Sequence, residues 1–199
     1  MKRKDIVKTA KQIKTHEEVV KSYNKIKPIP VGYLLKSSDD WCAAFVSVVF
    51  SYYNYTKIAE CSVPRMIGLA SDYGLLHDKT YIPKIGDIVV YDWDSVKDGD
   101  HVGIVIDIDN THMTDKYLMT VREGNKDRAI GNRVLFSDDK VVSYYITPKY
   151  EEDAASAADY KTVDEVVDAI IAGVFGNGDS RKEMLYNYIQ KKVNDKLNK

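Results

Sequence analysis

Two cysteines, four histidines and a net charge of −1 are the first facts about this 199-residue chain, and each excludes something. Two thiols are too few for a disulfide framework in a chain this long. A Cys42–Cys61 bridge is possible on paper, but it would consume the more interesting thiol. Near-neutral charge gives no basic surface for nucleic acid, and neither side of Tyr150 carries enough net charge to identify a partner. No apolar run is long enough to span a bilayer, so no membrane insertion is expected. The opening "MKRKDIVKTAKQIKTHEEVV" has basic residues without an apolar segment behind them. It does not read as a secretory signal, which predicts synthesis in the cytoplasm and release by another route for any extracellular role. With 44% hydrophobic and 30% charged residues, the chain is an ordinary globular composition.

Residues 5–25 carry apolar side chains at helical spacing and predict one helix, ended by the two prolines of "KPIPVGY", which favour extended chain. "SSDDWCAAFVSVVF" predicts a buried helix, because it is apolar on nearly every face behind four good capping residues, Ser37 to Asp40. Val63 to Tyr73 predicts another, stopped at Gly74. Then the period changes. "GDIVVYDW", "HVGIVIDI", "KYLMTVRE", "NRVLF" and "VVSYYIT" are short, β-branched and aromatic, and divided by polar turns, as in antiparallel strands. Helices followed by such strands give an α+β class. Residues 151–161 read as a linker. Thr162 and Glu165 then form a capping-box pair ahead of "VVDAIIAG", opening a small helical module over 162–199.

Cys42 falls in the first turn of its expected helix, where amides are unpaired and the dipole is positive. Such settings favour the thiolate, the form that attacks carbonyls; the bland alternative is a packed core thiol. A nucleophile needs a base. His16, His77 and His112 read as solvated, whereas His101 opens a strand. If strands 101–108 and 117–123 pair symmetrically about residue 112, position 101 faces Glu123, and opposed residues share a face. Asn125 follows on that face if the strand continues. Cysteine, histidine and a carboxylate or amide are the parts of a thiol acyl-transfer site.

"DDWCAAFVS", "IPKIGDIVVYDW", "GDHVGIV" and "TVREGN", in this order, resemble the CHAP family of papain-like amidases and peptidases, in particular those in endolysins of phages infecting Gram-positive bacteria. The likeness covers about residues 5–150 and implies a papain-like catalytic domain over 1–150. It implies Cys42 as nucleophile, His101 as base, Glu123 as the residue orienting His101, and Asn125 as a supporting polar group, with an oxyanion hole of amides near Cys42. Trp41 and Trp93 become candidates for the substrate groove, with packing in the core as the alternative for Trp93 and for Tyr91. The tail, with "IIAGVFGNGDSR" and Val193-Asn194, is similar to the choline-independent cell-wall-binding repeat (the Cpl-seven repeat) of other phage lysins. It implies Asn177, Gly178 and Arg181 as wall contacts. Phe175 stands where that repeat usually has Trp, and the segment between Arg181 and Val193 is short. A helical cap that only stabilises the enzyme is the alternative for this module.

"DWDSVKDGD" does not follow the order of an EF-hand loop, so no metal and no cofactor is predicted, and Cys61 is expected to be a buried structural thiol. The resemblance implies bacterial peptidoglycan as partner and, with no signal, holin-type release. Oligomeric state and the bond cut have no local signature. A cysteine hydrolase or acyltransferase on a non-wall amide, or a non-catalytic wall-binding protein, are the rival readings.

Overall fold

A computed structural model of the chain describes residues 1–94, 96, 98–109, 116–151, 162–171, 182, 185, 186, 188 and 189. Two compact units divide the chain, the first taking in residues 1–109 and 116–148. Its N-terminal part holds two helices where one was predicted, α1 (Arg3–Gln12) and α2 (His16–Tyr23). Capping chemistry breaks the expected helix. Thr15 is extended and its side chain accepts the Glu18 amide at 3.2 Å, while Glu18 accepts the Lys14 amide at 3.1 Å. These bonds satisfy donors that a continuous helix would have used internally. Ile6, Ala10, Ile13 and Tyr23 are buried at the expected spacing, but past the break Val19 is buried and Val20 only half-buried, so the apolar face shifts phase there. "KPIPVGY" is not simply extended, because Pro30–Gly32 form a single 3₁₀ turn.

Helix α3 (Cys42–Ser51) is buried from Cys42 through Phe50, as an all-apolar helix must be. Helix α4 (Val63–Asp72) ends at Gly74, whose φ of +64° suits the left-handed position after a helix. Strands β1 (Leu76–Asp78), β2 (Ile88–Tyr91), β3 (His101–Asp109), β4 (Leu118–Lys126), β5 (Ala129–Phe136) and β6 (Val142–Ile146) make one antiparallel sheet in the order β1-β6-β2-β3-β4-β5. Helices on an antiparallel sheet make the fold α+β, as predicted. β1 was not foreseen; three residues are too short to show a period of two. Helix α3 packs on β3 and β4. On the sheet's other face Val89, Tyr91, Val105, Met119, Val121, Leu135 and Tyr145 form an apolar cluster.

Two irregularities set the geometry around the site. In β3 the register shifts between Val105 and Asp107, so Gly103 lies opposite Glu123. The expected pairing of His101 with Glu123 is therefore wrong by two residues; because the side-chain period is two, the face is unchanged. In the β4–β5 hairpin the register shifts between Glu123 and Lys126, and Asn125, Asp127 and Arg128 all have positive φ. Buried Arg3 ties α1 to the entry of β2, donating to Asp87 at 2.7 Å and to the Ile85 carbonyl at 3.0 Å.

In the second unit, helix α5 (Val163–Ile171) opens with the predicted capping box: Thr162 accepts the Glu165 amide at 3.1 Å and Glu165 accepts the Thr162 amide at 3.2 Å. Among the described residues no helix is long and apolar enough to cross a membrane.

Candidate active site

Cys42 is the first residue of α3 and Trp41 its N-cap, without a side-chain capping bond. This corrects the expectation that one of Ser37 to Asp40 caps the helix. Asp39 is occupied elsewhere, accepting the Lys36 amide at 2.8 Å and the Tyr33 hydroxyl at 2.9 Å. Asp40 accepts the Asn125 amide nitrogen at 2.8 Å. The first intrahelical bond runs from the Phe45 amide to the Trp41 carbonyl at 2.9 Å. The amides of Cys42, Ala43 and Ala44 precede that ladder, and such N–H groups can receive a developing oxyanion.

Strand register gathers the base and its partners on one side of the sheet. Tyr91 pairs with His101, Gly103 with Glu123, and Val121 with Arg133. Opposed residues share a face, as do positions two apart. Tyr91, His101, Glu123 and Arg133 therefore project to the same side. Glu123 reaches His101 along the diagonal, with 3.2 Å between His101 Nε2 and Glu123 Oε2. Gly103 makes that reach possible, since a Cβ there would sit 2.8 Å from Glu123 Cγ and 2.6 Å from Val121 Cγ1. With Nε2 turned to Glu123, Nδ1 is the ring nitrogen left for Cys42, and Cys42 and His101 border the same cleft.

Glu123 is 0% exposed and carries two cationic neighbours. Arg133 Nε donates to Oε1 at 2.7 Å and Arg133 Nη2 to Oε2 at 3.2 Å. Burial alone pushes the Glu123 carboxyl up; hydrogen bonds from His101 and Arg133 override it and leave the group below the usual carboxylate range. Burial likewise disfavours the His101 imidazolium, but hydrogen bonds to Cys42 and Glu123 outweigh it and raise His101 from 6.5 to about 9. An imidazole held this way is a proton acceptor for the thiol and a proton donor for a leaving amine.

His101 also lies in an aromatic stack. Its ring centroid is 5.7 Å from Tyr91 and 5.6 Å from Trp93, and the Arg133 guanidinium sits 5.2 Å above the Tyr91 ring. Cys42, His101, Trp93, Asn125, Arg133 and Cys61 border one cleft of about 490 Å³. Trp93 is 51% exposed there. Trp41 is not in it: only 2% exposed, it stacks on His16 at 4.7 Å and belongs to the core, which corrects its assignment to the groove. Asn125 borders the cleft but bonds Asp40, bracing the β4–β5 hairpin against the loop before Cys42. Cys61 is half-buried on the cleft wall, not a core thiol. His16 and His77 are not free surface groups either, being stacked on Trp41 and Tyr81. His112 and the predicted wall contacts Asn177, Gly178 and Arg181 lie outside the described residues.

Sequence reasoning missed Arg133. The available signal was "NRVLF", an arginine one hairpin away from Glu123. A bulge-free hairpin turning at Asp127-Arg128 would have set Arg133 opposite Arg122, on the wrong face. Only the shift between Glu123 and Lys126 places it opposite Val121. Asp92, Asp94 and Asp100 do converge, with carboxylate oxygens within 4.8 Å of one another, which spacing did not reveal. Asp100 accepts the Trp93 amide at 2.5 Å, so part of the cluster holds its own loop. Exposed carboxylates gather in this way without an ion, and no metal is assigned.

Comparison with known proteins places these residues in context. Residues 35–125 match the CHAP domain, and residues 164–197 match the CW_7 repeat. No curated protein matches the chain. A solved structure titled "The crystal structure of Ly7917" aligns at 15% identity with a TM-score of 0.41. The alignment covers 74% of this chain and 63% of that one, and a likeness at that level is too weak to carry a functional conclusion.

Proposed function

We propose, for a chain that carries a CHAP domain followed by a CW_7 repeat, that it is a peptidoglycan hydrolase working through a cysteine thioester. The observation that carries this reading is that Cys42 and His101 border one cleft, with His101 bonded to the buried Glu123 at 3.2 Å. Cys42 gives its proton to His101 and its sulfur attacks an amide carbonyl in the peptide part of the wall. The carbonyl oxygen, now negative, is met by amides at the start of α3. His101 protonates the departing amine, leaving a thioester on Cys42, then takes a proton from water as that water attacks. Glu123 fixes the ring tautomer throughout. Trp93, the exposed aromatic beside His101, supplies a wall to the substrate groove.

We assign catalysis to residues 1–150 and wall attachment to 162–199, with 151–161 as linker. Asn177, Gly178 and Arg181 are the wall contacts in this reading. A phage or prophage endolysin released by a holin is the setting it fits. Two bonds suit the chemistry: the amide between muramic acid and L-Ala, and a bond of the stem or cross-bridge peptide. Mass spectrometry of Gram-positive peptidoglycan after digestion separates them. New amino groups on L-Ala mean an amidase, and new ends at D-Ala or the cross-bridge mean an endopeptidase. No new ends from walls of several chemotypes would sink the wall reading and turn the search to other amide substrates.

A further inference from the structure

The carboxylate that steers His101 is itself steered. Glu123 is fully buried, so every interaction that holds its charge must come from protein. Its two oxygens are taken by one forked guanidinium from the edge strand β5, at 2.7 and 3.2 Å, and His101 shares the second of them. The fork is pinned in turn. Arg133 Cζ lies 5.2 Å over the Tyr91 ring and 6.0 Å over Trp93, so the planar group is stacked as well as hydrogen-bonded. We propose that Arg133 is a positioning residue for the Cys42–His101 pair, acting through Glu123, which it keeps ionised and fixed in plane. The proposal rests on the reading of Cys42 as nucleophile, and none of the four family-like motifs contains Arg133.

The groups that face Glu123 are His101 from β3, Arg133 from β5 and the Tyr91 phenol from β2. Cys42 of α3 faces His101 from the other side, and Asp127 of the β4–β5 turn adds its charge near Arg133. Two of these are cations. Remove Arg133 and His101 alone opposes the cost of a buried carboxylate, so Glu123 takes up its proton at a higher pH. Once Glu123 is neutral the imidazolium loses its anchor and the thiolate loses its counter-ion. The acid end of Cys42 reactivity therefore moves up when the guanidinium is replaced by a neutral side chain.

The test needs no cell wall. Cys42 alkylation by iodoacetamide is timed from about pH 4 to about pH 9, a span bracketing carboxylate and imidazole titration. Peptide-resolved mass spectrometry counts Cys61 separately. In Arg133→Gln the acid midpoint is expected to rise by about one unit, making alkylation at the wild-type midpoint roughly fivefold slower. Arg133→Lys, which restores a charge, is expected to recover most of that shift. Arg133→Met, which keeps the stem against Tyr91, replaces the glutamine variant if circular dichroism shows it unfolded. A purely structural role would lower the folded fraction without moving the midpoint. An unmoved midpoint in a folded neutral variant overturns the proposal, and so does an equal shift in the lysine and neutral variants. A wild-type Cys42 that alkylates no faster than Cys61 would sink the nucleophile reading and the proposal with it.

Discussion

Gly103→Ala is the smallest change that should disable the site without touching any group that does chemistry. The added Cβ would meet Val121 Cγ1 at 2.6 Å, Glu123 Cγ at 2.8 Å and the Arg122 carbonyl at 3.0 Å. All three are closer than ordinary carbon contacts of about 3.5 Å, and the Arg122 carbonyl is backbone that cannot rotate away. Glu123 is the part able to give, and it has little room, being fully buried between His101 and Arg133. Overpacking of this kind costs about 1–3 kcal/mol of stability. The catalytic cost should be larger in proportion, since a misplacement near 1 Å can lose roughly 10²-fold in rate. The pH profile adds a signature. His101 stands at about 9 because Cys42 and Glu123 hold its proton against burial, so a displaced carboxylate lets it fall toward 6.5 and the alkaline limb of activity moves down. Turbidity clearing of Gram-positive walls across pH, alongside thermal unfolding, reads both effects. A variant that melts lower but keeps the wild-type rate and limb would show that Gly103 serves packing alone, and that the diagonal reach of Glu123 does not govern the rate.

Three further outcomes rest on the same geometry. Glu123→Gln should lower the alkaline limb, because the imidazolium contribution is complete below pH 6.5 and is lost as pH rises through about 9; two-dimensional NMR of the imidazole nitrogens would show His101 titrating lower, and an unchanged titration would contradict it. Gly124→Ala sets a Cβ 2.5 Å from Phe45 Cβ and 2.9 Å from Trp41 Cζ3, so helix and sheet must part; thermal unfolding should report a loss of about 1–3 kcal/mol, and a neutral result would mean the α3–β4 contact is loose. Arg3→Ala leaves the fully buried Asp87 without its 2.7 Å cation, and urea unfolding should lose about 3–5 kcal/mol; a loss under about 1 kcal/mol, the level of a surface pair, would refute that pairing as an anchor for α1.

How much of the fold and site is legible in the chain depends on the range over which each feature is decided. Cys42 at a helix start and His101 at a strand start are local facts, readable from the apolar run behind Cys42 and the β-branched run behind His101. That Glu123 shares the His101 face was legible because an error of two residues in register preserves the face. An error of one would have destroyed it. Arg133 was not legible, since its side depends on a bulge between Glu123 and Lys126. The break between α1 and α2 was written in Thr15 and Glu18, but apolar residues continue at helical spacing past it in the sequence and hide the shift in phase. Trp41 reads as a groove residue because it adjoins the nucleophile, yet a strand glycine, Gly124, lets β4 close over it. The neighbours that bury a side chain are decided by tertiary approach, which local sequence does not record.

Every catalytic role assigned here depends on one thiol cutting the wall. Wild type and Cys42→Ala, matched for folded protein by circular dichroism, should be compared on the same purified Gram-positive walls. Clearing by the wild type and no clearing above background by the variant is the predicted result, with both proteins sedimenting with the wall to the same extent. A Cys42→Ala protein that clears walls as fast as the wild type would contradict it.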